Sequence, residues 1–141
     1  MIDIKYDQSK KMLNISVSGT SGIEEFTSAL ETITNSRDYP PDIRAIWDVR
    51  QADLSFANLQ LVRGAVNIRS SFQKRDNCRA AIIVSGSLQY GLGRMFQILA
   101  DGKVNINLQI FRDYEEGKQW LLEDNLTCLS VNKEFSTDSM T

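Results

Sequence analysis

Cys78-Arg79-Ala80-Ala81-Ile82-Ile83-Val84-Ser85-Gly86-Ser87, with Leu88, Leu92, Met95, Phe96 and Leu99 after it, is the stretch on which the fold turns. From Ala80 to Val84 the apolar residues run on without alternation. A strand with one wet face alternates apolar and polar side chains. An unbroken run reads as a strand covered on both faces, as in a parallel sheet. Ser85-Gly86-Ser87 then turns the chain, and the five apolar residues beyond recur at helical spacing until Gly102 stops them. Strand, turn and helix form one unit of an α/β fold.

Working outward, Ile43 to Val49 is a second near-continuous apolar run, through Ala45, Ile46, Trp47 and Val49. Between the two runs, Leu61, Ala65, Ile68 and Phe72 line one helical stripe, beside a second of Leu59, Val62 and Val66. Asp53 or Ser55 is expected to cap that helix. Lys74 and Arg75 in its last turn, and Asn77 just after, suit the helix dipole and a left-handed stop. Further upstream, Ile2, Ile4 and Tyr6 alternate with polar residues, as do Leu13, Ile15 and Val17. The polar turn between them predicts an antiparallel hairpin. Ser21 and Glu24 make a capping-box pattern, and Ile23, Phe26, Leu30 and Ile33 predict a helix from about Gly22 to Ser36, ended by Tyr39-Pro40-Pro41. Downstream, Ile106, Leu108 and Ile110 alternate as in an edge strand. Asp113 and Glu116 then open a short helix with Gly117, Trp120 and Leu121. The order predicts an α/β fold with a mostly parallel five-stranded sheet and four helices, the first strand antiparallel in a hairpin. Residues 1–124 are expected to form one domain and residues 125–141 a polar, mostly disordered tail.

Composition narrows the function. The chain has 141 residues, 42% hydrophobic and 24% charged, the balance of an ordinary globular domain. Its net charge of −2 argues against nucleic acid or an anionic membrane as a partner held by charge. There is no His, which excludes Ser-His-Asp and Cys-His catalysis and His metal ligands. Two cysteines, Cys78 and Cys128, are too few for a disulfide framework and fit a reducing cytoplasmic compartment. No apolar stretch reaches the roughly 20 residues of a membrane span.

Motifs for chemistry are sparse. Gly86 and Gly91 have the spacing of P-loop glycines, but Leu92 and Gly93 stand where Lys and Ser/Thr are needed. Arg69, Lys74, Arg75 and Arg79 are the densest basic stretch and read as dipole complements on a solvated loop. In open parallel sheets, functional groups gather beyond the carboxyl ends of the strands. Those ends carry Ser18 and Gly19, Asp48 and Arg50, Ser85 and Ser87, and Arg112 and Asp113. Asp48 and Arg50, two apart, point the same way. Their plain reading is an ion pair. Ser55 and Ser87 read as helix caps, or as hydroxyls at helix starts where a phosphate is favoured. The helix from Leu88 to Leu99 is more apolar than one buried stripe needs. Its Gly91 and Gly93 suggest close approach by another element, a subunit or a ligand.

Trp47-Asp48-Val49-Arg50, Tyr90-Gly91-Leu92-Gly93-Arg94-Met95-Phe96-Gln97 and Phe111-Arg112-Asp113 with the following Trp120-Leu121 resemble the small bacterial SpoIIAA-like proteins, also described as STAS-like or CRAL-TRIO-like. The resemblance spans about residues 1–122. It implies a strand-helix superhelix and a non-enzymatic domain. The STAS side implies protein partners; the CRAL-TRIO side implies apolar ligands such as lipids. Phospho-regulated STAS proteins carry a Ser or Thr in an Asp-Ser-Ser/Thr-Gly-like segment after the third strand. The matching region here is Arg50-Gln51-Ala52-Asp53-Leu54-Ser55-Phe56, with an acid and a serine but no Ser-Gly pair.

The resulting expectation is a cytoplasmic, homodimeric binding module without a cofactor or metal, taking a partner protein or a small apolar molecule. Asp48, Arg50, Tyr90, Arg94, Met95 and Phe96 are the candidate contact residues. Asp48, Arg50 and Arg94 would orient a ligand at the polar end of the apolar helix. The alternative is a phosphorylation-gated regulator centred on Ser55. A third reading, an enzyme at the strand ends, lacks a residue with an evident activating base.

Overall fold

The computed structural model describes residues 1–20, 22–39, 43–71, 78–103 and 106–123. Lys74, Arg75, Asn77, Cys128 and the tail from 125 lie outside them. β1 (Ile2–Asp7) and β2 (Met12–Gly19) form the expected antiparallel hairpin, with Ile4 opposite Ile15. β3 (Arg44–Ala52), β4 (Cys78–Ile83) and β5 (Ile106–Phe111) follow in parallel, and the sheet order is β1-β2-β3-β4-β5. The fold is thus the predicted five-stranded α/β sheet, with α1 (Ile23–Asn35), α2 (Leu59–Ser70), α3 (Ser87–Ala100) and α4 (Tyr114–Leu121). β3 runs past Val49 because an irregularity between Ser16 and Ser18 lets Gln51 and Ala52 continue pairing with Ser18 and Gly19.

The unbroken apolar runs have the cause expected of them: the sheet is covered on both sides. On one face α4 packs Leu121 against Met12, Ile46, Ala81 and Ile83, all 0–1% exposed. Burying such a side chain contributes about 1.5–3 kcal/mol. This contact is close. A Cβ on Gly117 would lie 2.6 Å from Ile83 Cδ1 and 3.2 Å from Phe111 Cδ2. The other face carries α1 to α3. α1 sets Ile33 on Leu13, Ile15 and Ile43, and its Phe26 ring meets the Trp47 indole at 5.6 Å. α2 has α1 and α3 as its principal neighbours.

Several local expectations change. Ser21 lies outside the described residues; α1 starts at Gly22 without a side-chain cap. α2 is capped by neither Asp53 nor Ser55 but by Asn58, whose side chain accepts the Leu61 N–H at 2.9 Å. Asp53 instead closes its own turn, taking the Ser55 N–H at 3.1 Å and the Ser55 hydroxyl at 2.7 Å. Ser87 is inside α3, and Gly86 is the cap. Asp113 caps α4 as predicted, bonding the Glu116 N–H at 3.2 Å. Arg69 and Arg79 are not solvated: they are 8% and 2% exposed. Arg79 shares a strand face with Ala81 and Ile83, which places it under α4. There it donates to the Trp120 carbonyl, lies 5.0 Å from the indole centroid and comes within 3.8 Å of Glu123.

Candidate functional site

The carboxyl ends of the parallel strands do share a rim. Asp48 and Arg50 leave the α4 side of β3 and pair with each other, Nε to Oδ1 at 2.9 Å and Nη2 to Oδ2 at 2.8 Å. The Arg50 N–H adds a bond to Oδ1 at 3.1 Å. The Arg50 side chain holds the Asp48 carboxyl below its usual pKa, and Asp48 in turn raises that of Arg50. An acid so held is ionised at neutral pH and engaged on both oxygens, which makes it a poor proton carrier. The Arg50 guanidinium also sits 5.9 Å from the Tyr114 ring, whose hydroxyl donates to Asn14 and whose pKa is raised by burial.

The same rim is stitched from within by a residue the sequence reading did not single out. Gln89, 9% exposed, gives its amide N–H groups to the carbonyls of Ala52 at 3.0 Å and Arg50 at 3.4 Å. Its Oε1 takes the Ser85 N–H at 2.9 Å. Ser85 Oγ is 3.2 Å from that oxygen and 3.3 Å from the Arg50 carbonyl, two acceptors for one proton. Gln89 is the third residue after the Gly86 cap, a position from which a glutamine can reach back past the helix start, and here it takes the N–H of Ser85, one residue before the cap.

Beneath the rim, between the sheet and the layer of α1 to α3, lies a cavity of about 230 Å³. Trp47 and Val49 of β3, Ala80 and Ile82 of β4 and Leu108 of β5 form its floor. Leu61, Val62 and Ala65 of α2, Leu92 and Phe96 of α3, and Ile23 and Phe26 of α1 close it, with Leu54 and Ala57 from the β3–α2 loop. Arg69 and Gln89 bring the charged and amide-bearing side chains of its lining. Strand parity explains the division. Odd-numbered Trp47 and Val49 face the cavity, while Ile46 faces α4.

The candidate residues therefore separate. Asp48 and Arg50 meet at the rim, and Ser85 joins them. Phe96 lines the cavity. Tyr90, 39% exposed, faces outward under the Arg112 guanidinium, 4.9 Å from its ring centroid. Arg94 donates to Gln97, and Gln97 donates to the Leu108 carbonyl on the β5 edge. Arg94 is thus not with Asp48 and Arg50 at the polar end of α3. Met95 is half-buried and outside the cavity lining. Ser55 is exposed on the β3–α2 loop, its hydroxyl on Asp53. Gly93 has the close approach expected of it, since a Cβ there would lie 3.2 Å from Ile110 Cδ1. Gly91 faces open space. Among the described residues no group of three or more His, Cys, Asp or Glu side chains is placed to hold a metal ion. No helix among them is long and apolar enough to cross a membrane.

No protein-family model matches the chain, and no curated protein does. Among solved structures the chain is similar to an uncharacterised protein of the DUF3478 family from Shewanella loihica PV-4, a crystal structure with a SpoIIAA-like fold. The two share 22% identity and superpose with a TM-score of 0.57, over 86% of this chain and 92% of the other. The fold is SpoIIAA-like. At this identity the likeness concerns the path of the chain, so the site must be argued from the side chains this protein places. In the SpoIIAA-like frame those side chains form a bonded polar rim above an apolar cavity.

Proposed function

We propose that the protein is a non-enzymatic binding module that takes a small apolar molecule into the cavity between the sheet and α1 to α3. The cavity carries this reading. The pocket is open on one side and almost wholly apolar in its lining, and such a concave apolar surface of about 230 Å³ is the usual form of a small-molecule site. An apolar cavity of about 150 Å³ stays dry and admits benzene. Scaling by volume, this one holds roughly nine or ten non-hydrogen atoms. α2 lies above it, with α1 and α3 as its principal neighbours. The rim supports binding over catalysis, because its Asp48–Arg50 pair is internally engaged.

Native mass spectrometry of gently purified protein tests this. The expected spectrum carries a noncovalent small-molecule adduct, which Ala65→Phe removes by filling the space. A clean apo mass under conditions that preserve such adducts contradicts the proposal.

A second reading, a surface for a partner protein at the strand ends, is favoured by exposed apolar side chains there: Phe56 at 44%, Leu59 at 42% and Leu88 at 52%. Phosphorylation of Ser55 would belong to this reading. Its phosphate would displace the hydroxyl from Asp53 and set two negative groups together, reshaping the loop. Unaltered partner binding by Ser55→Asp would contradict it.

A further inference from the structure

The sheet has two edges, and they are built differently. β1 carries Asp3, Lys5 and Asp7 at alternate positions, charges that discourage another strand from pairing there. β5, Ile-Asn-Leu-Gln-Ile-Phe, has no charged residue and no proline. The Phe111 carbonyl accepts the Val84 N–H at the end of β4, so it points into the sheet. Backbone direction alternates along a strand, so Ile106, Leu108 and Ile110 turn their N–H and C=O groups outward. The Gln97 amide, which reaches the Leu108 carbonyl from α3, marks that outer side. We infer that β5 pairs antiparallel with β5 of a second copy of this chain, about a two-fold axis through Leu108. The inference is independent of what the cavity holds.

The edge is self-complementary under that axis. Leu108 falls opposite Leu108, and Ile106 opposite Ile110, so outward-turned groups meet outward-turned groups and exchange hydrogen bonds in pairs. The Leu108 carbonyl has two lone pairs and can accept the second copy's N–H beside the Gln97 amide. On the face that Phe111 turns to α4, Asn107 comes opposite Gln109, amide against amide. On the other face α3 runs antiparallel to β5: a Cβ on Gly93 would lie 3.2 Å from Ile110 Cδ1, and one turn later Gln97 reaches Leu108. Asp101, a further turn on, lines a groove with Asn107 near the start of β5. Arg94 and Ile98 line the same groove along the edge. Arg94 and Asp101 are two helical turns apart, about 10 Å, and Ile98 between them is 62% exposed. The axis that pairs the strands therefore brings Arg94 of each copy across from Asp101 of the other, with the two Ile98 side chains together at the centre. This charge complementarity selects a second copy of the chain as the occupant.

Sedimentation equilibrium of the full chain at pH 7 tests this. The wild type is expected to sediment as a dimer at about 100 μM. Arg94→Asp sets like charges across the axis and is expected to weaken the dimer about tenfold or more, and combining it with Asp101→Arg to restore it. Ile98→Asp is expected to weaken it by about the same factor. All three residues are exposed, and circular dichroism melts establish that each variant is folded. Amide hydrogen exchange at Leu108 and Ile110 in the wild type, read by NMR, is expected to slow as the protein concentration rises. If a variant does not fold, this exchange measurement decides. A wild type that stays monomeric at about 100 μM overturns the inference. So does a dimer that neither folded single variant weakens, a double reversal no tighter than Arg94→Asp alone, or exchange at Leu108 that ignores concentration. None of these results bears on the apolar-ligand reading, which the adduct measurement tests by itself.

Discussion

Alanine at Gly117 and at Gly91 separates packing from helix propensity. Both glycines sit in helices, α4 and α3, and replacing a glycine by alanine in a helix interior gains up to about 1 kcal/mol. At Gly91 nothing lies within 4 Å of the new Cβ, so that gain stands alone. At Gly117 the new methyl would lie 2.6 Å from Ile83 Cδ1 and 3.2 Å from Phe111 Cδ2. Ile83 is fully buried among Met12, Ile46, Ala81 and Leu121, so it cannot swing out to solvent. Forcing one methyl into such a core costs about 1–3 kcal/mol. The propensity gain is common to both variants and cancels in their difference. Gly117→Ala should therefore be about 1–3 kcal/mol less stable than Gly91→Ala, with Gly117→Ala at or below the wild type. Urea denaturation followed by circular dichroism reads this as a shift in midpoint at constant slope. If the two variants agree within about 0.5 kcal/mol, comparable to the scatter of surface substitutions, the packing of α4 on β4 is not as described.

The remaining predictions concern the rim and the loop. Asn58→Ala should cost about 0.5–2 kcal/mol as a lost cap, and a urea midpoint more affected by Ser55→Ala than by Asn58→Ala would contradict the assignment of Asn58. Gln89→Leu leaves the Ser85 N–H and the Ala52 carbonyl without their partner and should destabilise by about 1–3 kcal/mol, read in the same assay. Asp48→Asn should cost no more than about 1 kcal/mol at pH 7, because the pair is partly exposed and screened. The Asp48 carboxyl is held below its ordinary pKa when folded. Its contribution is present above the ordinary carboxyl range and lost as pH falls through the lowered value. The wild type and Asp48→Asn should therefore converge in stability in acid, and a gap that widens there would refute the pairing.

Much of the architecture was legible because it rests on periodicity. The alternation in Ile2–Tyr6 and Leu13–Val17 marked the hairpin, and the unbroken runs around Ile46 and Ile82 marked strands covered twice. Local signals competed where the sequence offered several. Asp53, Ser55 and Asn58 all suit a cap, and only Asn58 has its oxygen in reach of an α2 N–H. Beside its basic neighbours Arg79 looks solvated, whereas strand parity with Ala81 and Ile83 places it inside. The cavity left no comparable mark. A stripe of Leu61, Ala65 and Ile68 reads the same whether it rests on strands or stands off them. How far α2 lies from the sheet depends on α1 and α3 holding it, a tertiary matter that spacing along one helix does not contain. For the same reason Arg94 could be placed on α3 but not assigned to Asp48 and Arg50 or to the β5 edge.

The most direct measurement is a high-resolution crystal structure of the protein isolated from its native host without detergent. The account predicts continuous non-protein density between Leu61, Ala80 and Phe96. A structure in which the side chains of Leu61, Trp47 and Phe96 close that space, with no density between them, would contradict it.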